Sequence, residues 1–255
     1  MPAIFFGHGS PFNAISRNVW TEAWSETGRS MPKPKAILCV SAHWYLPKLA
    51  VTAMERPPTI HDFGGFPQEL FDVQYPAPGS PELARRIVEL LGDSCELEAA
   101  SWGLDHGTWS VLCHVFPDAD VPVVQLSIDS SQPAAWHYEL AKKLRPIRDE
   151  GILVCGSGNL VHNLRAYSWK DTAREPYDWA ERFEVEARQL IETGDHELLI
   201  NYPQMGDDAM QSIPTPEHYL PLIYVLAQQS EGENVSFPVE GIDGGSISML
   251  SVQVG

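Results

Sequence analysis

The chain has few basic residues and no long apolar run, and each shortage excludes a class of function. Its 17 lysines and arginines are outnumbered by 34 acidic residues, which gives a formal net charge of −17 at pH 7. Because this charge repels phosphate groups and no basic cluster offsets it, we expect no nucleic acid partner and no anionic membrane partner. No stretch approaches the roughly 18 consecutive apolar residues that predict a membrane span.

Paired cysteines and a serine nucleophile motif are also missing. The four cysteines occur singly, at positions 39, 95, 113 and 155, and no CxxC pair is present. Zinc-finger chemistry is excluded by this spacing, and we expect the thiols to pack as small hydrophobic groups. The segment Gly156-Ser157-Gly158 lacks the G-x-S-x-G spacing of a nucleophile elbow, so serine hydrolysis is not predicted.

The chain does contain apolar runs that predict strands. Continuous runs of this kind are typical of strands buried on both faces, as in parallel sheets. They are Ala3–Phe6, Ala36–Ser41, Val121–Ser127 and Ile152–Cys155. Leu49–Met54 and Ser246–Val254 alternate more and predict strands nearer an edge. Because no basic region precedes the first run, it predicts a core strand and not a signal peptide, and we expect a cytoplasmic protein.

Helix signals lie between these runs. Ser80-Pro81-Glu82 predicts a helix start, and Gly92 predicts its end. Apolar residues at helical spacing predict a second helix from Trp179 to Ile191, ended by Gly194. A third is predicted from Glu217 to Gln228, with His218 in its first turn. The alternation predicts an α/β fold: a single three-layer domain over residues 1–255, with a central mostly parallel or mixed sheet and helices on both faces.

Three of the nine histidines, His8, His43 and His162, follow predicted strands. In an open α/β sheet, ligands bind at the carboxyl ends of the strands. A glycine on each side of His8 allows a tight turn and close approach of a ligand, and Trp44 is placed to form a pocket wall. We predict that His8 and His43 bind a transition metal, since imidazole suits zinc, iron, copper and nickel. The residues alone do not choose among these metals.

The other histidines admit several interpretations. His162 follows a Gly-Ser-Gly-Asn turn whose backbone N–H groups suit an oxyanion, and we predict an acid–base role for it. The alternative is an incidental histidine at a helix N-terminus. His61 and His106 each adjoin an aspartate among glycines and aromatic residues. Such loops either line a pocket that stacks a flat ring or are stiffened by a His–Asp hydrogen bond. His114, His137 and His196 are predicted to be structural.

Six motifs follow one another along the chain. They are Gly7-His8-Gly9-Ser10-Pro11, Ser41-Ala42-His43-Trp44, His61-Asp62-Phe63-Gly64-Gly65-Phe66-Pro67, Asp105-His106-Gly107-Thr108-Trp109, Gly156-Ser157-Gly158-Asn159 with His162-Asn163, and Pro214-Thr215-Pro216-Glu217-His218-Tyr219. In this order they resemble the class III extradiol ring-cleavage dioxygenases, and most closely the 4,5-DOPA dioxygenase branch. The resemblance runs from residue 4 to about residue 250. It implies a single α/β domain with one metal at the carboxyl edge of the sheet.

Carried over position by position, the resemblance implies a role for each histidine. His8, His43 and His218 are then the metal ligands, and His162 is the acid–base residue, or a fourth ligand when zinc is bound. His106 is a second catalytic histidine that helps to hold substrate. We further predict that three residues contact the substrate, namely His61, Trp44 and Asn159.

One departure concerns the third ligand. Protocatechuate-type relatives use a glutamate, and here Glu217 and His218 are neighbours. Adjacent side chains on a helix diverge by about 100°, so only one of them faces the metal. The resemblance to the DOPA branch selects His218.

The predicted function is an extradiol dioxygenase that opens a catechol ring with O₂ and one divalent metal, with Fe²⁺ for activity. The alternative is a zinc-binding protein of the same fold that acts as a hydrolase or a non-enzymatic binding module, since Zn²⁺ accepts three histidines equally well. We expect a monomer or a homodimer.

Overall fold

The computed structural model describes all residues from 1 to 255, and its centre is a mixed sheet of eight strands. The whole chain has ten strands, which are β1 (Ala3–Gly7), β2 (Ala36–Leu46), β3 (Leu49–Thr52), β4 (Cys95–Glu98), β5 (Val123–Asp129), β6 (Ile152–Gly158), β7 (Val235–Val239), β8 (Ile242–Asp243), β9 (Ile247–Ser248) and β10 (Ser251–Val254). The sheet order is β4-β3-β5-β2-β6-β1-β10-β7, and β8 and β9 form a separate antiparallel pair. Because β5, β2, β6 and β1 run parallel, their carboxyl ends meet at one edge.

Ten α-helices and three short 3₁₀ turns connect the strands. The helices are α1 (Val19–Ser30), α2 (Gln68–Phe71), α3 (Pro81–Leu91), α4 (His106–Val115), α5 (Ala134–Lys142), α6 (Pro146–Asp149), α7 (Asp178–Thr193), α8 (His196–Ile200), α9 (Asp207–Ser212) and α10 (Leu220–Leu226). The 3₁₀ turns are Pro11–Ala14, Gly92–Ser94 and Tyr202–Met205. None of the helices combines the length and the apolar character that a membrane span requires.

The helices cover both faces of the sheet, because successive strand residues enter two different cores. In β1, Ala3 and Phe5 belong to one core, and Ile4 and Phe6 belong to the other. Alternate side chains of a strand point to opposite faces, so each apolar run supplies both cores. Helices α3, α5, α7 and α10 pack in the first core, and α1 and α4 pack in the second. The predicted α/β fold with helices on both faces is confirmed.

The predicted strands all exist, with shifted ends. The run from Ala36 extends to Leu46, beyond the predicted Ser41, and the last predicted strand is divided into β9 and β10. The two segments with alternating character, β3 and β10, each lie one strand inside an edge of the sheet. Edge strands β4 and β7 were not predicted, because their sequences are short and carry polar side chains on a half-exposed surface.

The helix boundaries follow their capping residues. The Ser80 hydroxyl accepts the backbone N–H of Leu83, and α3 ends before Gly92, which has a φ of 65°. Helix α7 ends at Gly194 in the left-handed region, with a φ of 72°. The predicted start of the last helix at Glu217 is wrong, since α10 begins at Leu220. His218 therefore lies in the turn that precedes the helix.

Candidate metal centre

Three histidines from distant parts of the chain meet at the carboxyl edge of the parallel strands. His8 directly follows β1, and His218 lies in the turn before α10. His43 lies within β2, where the pairing with β5 shifts register between Val40 and Tyr45. Such irregularities redirect side chains near functional sites. The ring centroids of His8, His43 and His218 lie 5.1 to 5.3 Å apart, and one side-chain ligand atom from each lies within 4.8 Å of the others.

Ser157 fixes the tautomer of His8. The Ser157 hydroxyl donates its only proton to the carbonyl oxygen of Gly107. It must therefore accept a hydrogen bond from Nδ1–H of His8, which lies 2.9 Å away. The hydrogen of this imidazole is on Nδ1, and the lone pair of Nε2 is directed at the other histidines. A hydrogen bond of this kind from the far ring nitrogen is the usual support of a metal-binding histidine.

Asp62 lies against two further imidazole rings. Its Oδ2 lies 2.9 Å from Nδ1 of His106 and 3.2 Å from Nδ1 of His43. Its Oδ1 accepts the backbone N–H of His106 at 2.8 Å. Because a carboxylate only accepts hydrogen bonds, His106 carries a hydrogen on Nδ1, and the nearby negative charge also favours the Nδ1 hydrogen in His43. In the neutral form of His43, Nε2 is then the unprotonated nitrogen.

The unprotonated nitrogens fit a metal ion. Nε2 of His8 and Nε2 of His43 lie 3.3 Å apart, and neither carries a proton to donate to the other. Two nitrogens bound at about 2.1 Å to one tetrahedral ion would lie about 3.4 Å apart. Nδ1 of His218 lies 3.3 Å from Oε1 of Glu217, which leaves its Nε2 free in the same way. A cation among the three nitrogens would satisfy all of them.

Burial and mutual repulsion keep these histidines neutral. Burial, reinforced by the neighbouring imidazoles, lowers the pKa of His8 and of His218 well below the usual value. The same causes lower the pKa of His43 to about 3, although Asp62 acts in the opposite direction. Burial, the largest single influence, opposes ionisation of Asp62, but the hydrogen bonds from His106 and the charges of His106 and His43 together outweigh it and lower the pKa of Asp62 to about 2. Neutral imidazole is the form that binds metals, so the cluster is ready to receive one.

His162 lies beside the cluster without a hydrogen-bond partner for its ring. Its ring stacks on that of His218, with 3.5 Å between centroids and 6° between planes. Burial lowers the pKa of His162 to about 4, although Glu217 acts in the opposite direction. His162, Glu217 and His218 also have ligand atoms within 4.8 Å of one another. The neutral ring can therefore accept a proton or serve as an additional ligand.

A cavity of 240 Å³ opens in front of these histidines. Apolar and aromatic side chains form much of its wall, with the imidazoles at one end. Its lining comprises His8, Gly9, Ser10, Pro11, His43, Phe63, Phe66, His106, His162, Leu164, Tyr167, Trp169, His218, Asp243 and Ile247. Pockets with apolar walls and a few convergent polar groups are typical of small-molecule sites.

The structure brings five predicted site residues to this cavity and leaves three outside its lining. The five are His8, His43, His106, His162 and His218. His61 contacts the carbonyl oxygen of Val73 at 3.0 Å, and Trp44 stacks on Trp102. Asn159 is buried, and its amide donates to the carbonyl of Ser248 at 2.8 Å. The substrate contacts predicted for these three residues stay predictions.

Several residues of the site were not identified from the sequence. The sequence shows Asp62 only as a neighbour of His61, yet Asp62 accepts hydrogen bonds from His106 and lies 3.2 Å from Nδ1 of His43. The one feature of the sequence that could have pointed to Asp62 as a site residue is its position in a glycine-rich loop. Tyr167 and Asp243 line the cavity, but nothing in their sequence surroundings pointed to it.

Residues 8–242 match the family described as the catalytic LigB subunit of aromatic ring-opening dioxygenase. A relative from Escherichia coli (strain K12), named 4,5-DOPA dioxygenase extradiol, is 54% identical over 259 residues, covering 100% of this chain and 95% of the relative. A relative of the same name from Beta vulgaris is 36% identical over 252 residues, covering 96% of this chain and 93% of the relative. The crystal structure of the uncharacterized protein JW3007 from Escherichia coli K12 superposes with a TM-score of 0.87 at 47% identity, and 100% of each chain is covered.

Proposed function

This chain belongs to the LigB family of aromatic ring-opening dioxygenases, and from this membership we propose that it opens the ring of a catechol with O₂ at one divalent metal held by His8, His43 and His218. The chain is a ring-opening dioxygenase, an oxidoreductase. The observation that carries the proposal is the convergence of three imidazoles that each have an oxygen atom within 3.3 Å of Nδ1, two of them with their Nε2 atoms facing each other at 3.3 Å.

We assign Fe²⁺ as the active metal. Bound at this site, Fe²⁺ would supply Lewis acidity and electron transfer between an aromatic diol and O₂, which the side chains cannot provide. Three neutral histidines leave the double positive charge of such an ion uncompensated by its ligands, and this favours an anionic catecholate as the bound form. Zn²⁺ fits the same donors, so protein purified in air is expected to contain some zinc.

His162 and His106 handle the protons of the substrate in this proposal. His162 is neutral and faces the cavity, so it can take a proton from a catechol hydroxyl and later return it to a leaving oxygen. The Nδ1 hydrogen of His106 is donated to Asp62. In the neutral ring Nε2 is an acceptor, and it can hold the second hydroxyl in place.

The wall of the cavity suits a flat ring. Phe63 and Phe66 pack edge to face, with their centroids 5.2 Å apart, and both line the cavity. Aromatic walls of this kind bind an aromatic ring and exclude water from it. The names of the relatives from Escherichia coli and Beta vulgaris support a DOPA-like catechol and extradiol cleavage for this chain.

Oxygen uptake tests the proposal directly. Protein reconstituted anaerobically with Fe²⁺ is given 4-ethylcatechol and DOPA, with Zn²⁺-loaded protein and the variant His8→Ala in parallel. We expect uptake and a ring-opened product with Fe²⁺-loaded wild-type protein only. Absence of uptake from the Fe²⁺ protein with every catechol would reject the proposal, and equal uptake by His8→Ala would reject the ligand set.

A further inference from the structure

One carboxylate lies in the cavity wall, and no lysine or arginine does. Asp243 is this carboxylate, and it lies with Tyr167 and Trp169 in the part of the lining not formed by the histidines. An acidic wall without a cation favours positively charged substrate groups and disfavours negatively charged ones. The mechanism proposed above makes no use of Asp243.

Strand pairing sets the distance between Asp243 and the acid–base histidine. Asp243 of β8 pairs with Ile247 of β9, and Ile247 pairs on its other side with His162. Directly paired residues on neighbouring strands project from the same face, and all three line the cavity. Each antiparallel pairing separates Cα atoms by about 5 Å, so the Cα atoms of Asp243 and His162 lie about 10 Å apart. This distance accommodates a catechol ring with a two-carbon side chain.

The Asp243 carboxylate is buried and hydrogen-bonded. The Tyr167 hydroxyl donates to Oδ2 of Asp243 at 2.8 Å, and Asp243 is only 8% exposed. Gly244 lets the Tyr167 ring lie against the backbone, since a Cβ there would come within 2.2 Å of the ring. Burial raises the pKa of Asp243, and the hydrogen bond from Tyr167 acts in the opposite direction.

Aromatic rings complete the surroundings of this carboxylate. The rings of Tyr167 and Trp169 pack edge to face, with centroids 4.7 Å apart. Both line the cavity. The face of an indole or phenol ring attracts an ammonium group, and this attraction adds to that of the carboxylate. A carboxylate and two aromatic rings in the wall of one cavity are a setting that recognises alkylammonium groups.

We propose that Asp243, oriented by Tyr167, is a specificity-determining residue that selects catechols with an ammonium group on the side chain over catechols with a carboxylate there. The proposal rests on the catechol dioxygenase function proposed above. An ammonium group would form a charge-assisted hydrogen bond with Asp243 in a largely buried setting. A carboxylate would meet a like charge with no cation in the cavity wall to offset it.

Three catechols that differ only in the side chain provide the test: 4-(2-aminoethyl)catechol, 4-ethylcatechol and 3,4-dihydroxyphenylacetate. Dissociation constants are measured anaerobically with Zn²⁺-loaded protein, and kcat/KM with Fe²⁺-loaded protein. For the wild type we expect the amine to bind roughly 10-fold more tightly than 4-ethylcatechol, and the acid roughly 10-fold less tightly. In Asp243→Asn, which keeps the shape of the side chain, these ratios should fall to within about 3-fold. Asp118→Asn removes the same charge from an exposed position outside the cavity and should keep the wild-type ratios.

The outcomes separate this proposal from the function on which it rests. Turnover of 4-ethylcatechol with no preference for the amine would overturn the role of Asp243 and leave the dioxygenase standing. Absence of turnover with the binding preference intact would reject the dioxygenase proposal and retain the ammonium site. Unchanged binding ratios in Asp243→Asn would assign the preference to other residues and overturn the proposal.

Discussion

Asp62 binds two imidazole rings at once, so its replacement affects both. In Asp62→Asn the amide nitrogen can only donate, and it would face Nδ1 hydrogens that need an acceptor. We expect zinc affinity to fall by about 10- to 100-fold, as is usual when the partner of a ligand histidine is lost. Competition with a chromophoric chelator measures this. Asp72→Asn, on the exposed surface, is the matched control. Equal affinity of wild type and Asp62→Asn would contradict the positioning role.

His162 is predicted to act on protons and not to hold the metal. His162→Ala should therefore keep its Fe²⁺ and lose about 10²- to 10⁴-fold in turnover of a catechol. Metal content by elemental analysis and oxygen uptake on the same sample separate the two effects. His114→Gln, which changes a histidine outside the cavity, should retain both. Loss of metal from His162→Ala would make this residue a ligand, and full turnover would remove it from the chemistry.

At the residue scale, the sequence indicated which histidines matter but not how they are held. His61-Asp62 and Asp105-His106 suggested hydrogen bonds between neighbours. Asp62 instead reaches His106 and His43, while Asp105 accepts from Ser41 at 2.7 Å. Such partners are set by packing between loops that are distant in the chain. Local spacing contains no information about them.

Elements with strong local signals were predicted well. Helix α3 has a serine cap, a proline in its first turn and a glycine after its last residue. Each of the three determines an end of the helix through neighbours only a few residues away in the chain. The last helix shows the limit of such reasoning. A helix that begins at Glu217 needs a hydrogen bond from the N–H of residue 221 to the carbonyl of Glu217, and Pro221 has no N–H. Proline is tolerated in the first turn of a helix only. The helix consequently begins at Leu220, and His218 is free to turn toward the metal site.

The end of β6 packs against the turn that carries His218. A Cβ on Gly158 would lie 2.1 Å from the carbonyl oxygen of His218, so Gly158→Ala forces the two segments apart. We expect a loss of about 1–3 kcal/mol in unfolding free energy and weaker zinc binding, measured by urea unfolding and chelator competition. Gly64→Ala, which meets no atom within 4 Å, is the control. Wild-type stability of Gly158→Ala would show that this contact is not required.

Helix α7 buries a carboxyl group against β9, and this makes the free energy of unfolding depend on pH. Burial raises the pKa of Glu184 from 4.5 to about 7, although the Ser248 hydroxyl donates to it. Below about pH 4.5 both states are protonated; between about pH 4.5 and 7 only the unfolded chain ionises, so stability falls as the pH rises. Glu184→Gln should therefore stabilise the protein by about 1–3 kcal/mol at pH 8 and by almost nothing at pH 4.

Urea unfolding at the two pH values measures this difference, and the exposed Glu181→Gln controls for the loss of one negative charge. An equal effect of Glu184→Gln at pH 4 and pH 8 would show that the carboxyl is not the titrating group.

At the scale of the whole molecule, the site joins segments from both ends of the chain. His8 directly follows β1, His43 lies within β2, and His218 lies in the turn before α10. Sequence reasoning placed the first two at one edge because parallel strands end together. Although β9 falls within the predicted strand Ser246–Val254, the sequence does not indicate that the β8–β9 pair and the loop bearing Tyr167 and Trp169 close the other side of the cavity. Strand β8 has only two residues, and the loop carries no periodic signal.

Because the three histidines meet only in the folded chain, metal binding should stabilise the whole molecule. Zn²⁺ at about 100 times its dissociation constant adds about 2.7 kcal/mol, which corresponds to a rise of roughly 5–10 °C in Tm for a chain of this size. Differential scanning calorimetry of metal-free and zinc-loaded protein measures the rise. His8→Ala should lose most of it, and His114→Gln should keep it. An equal rise in all three proteins would show that zinc stabilises the fold from a different site and would remove His8 from the ligand set.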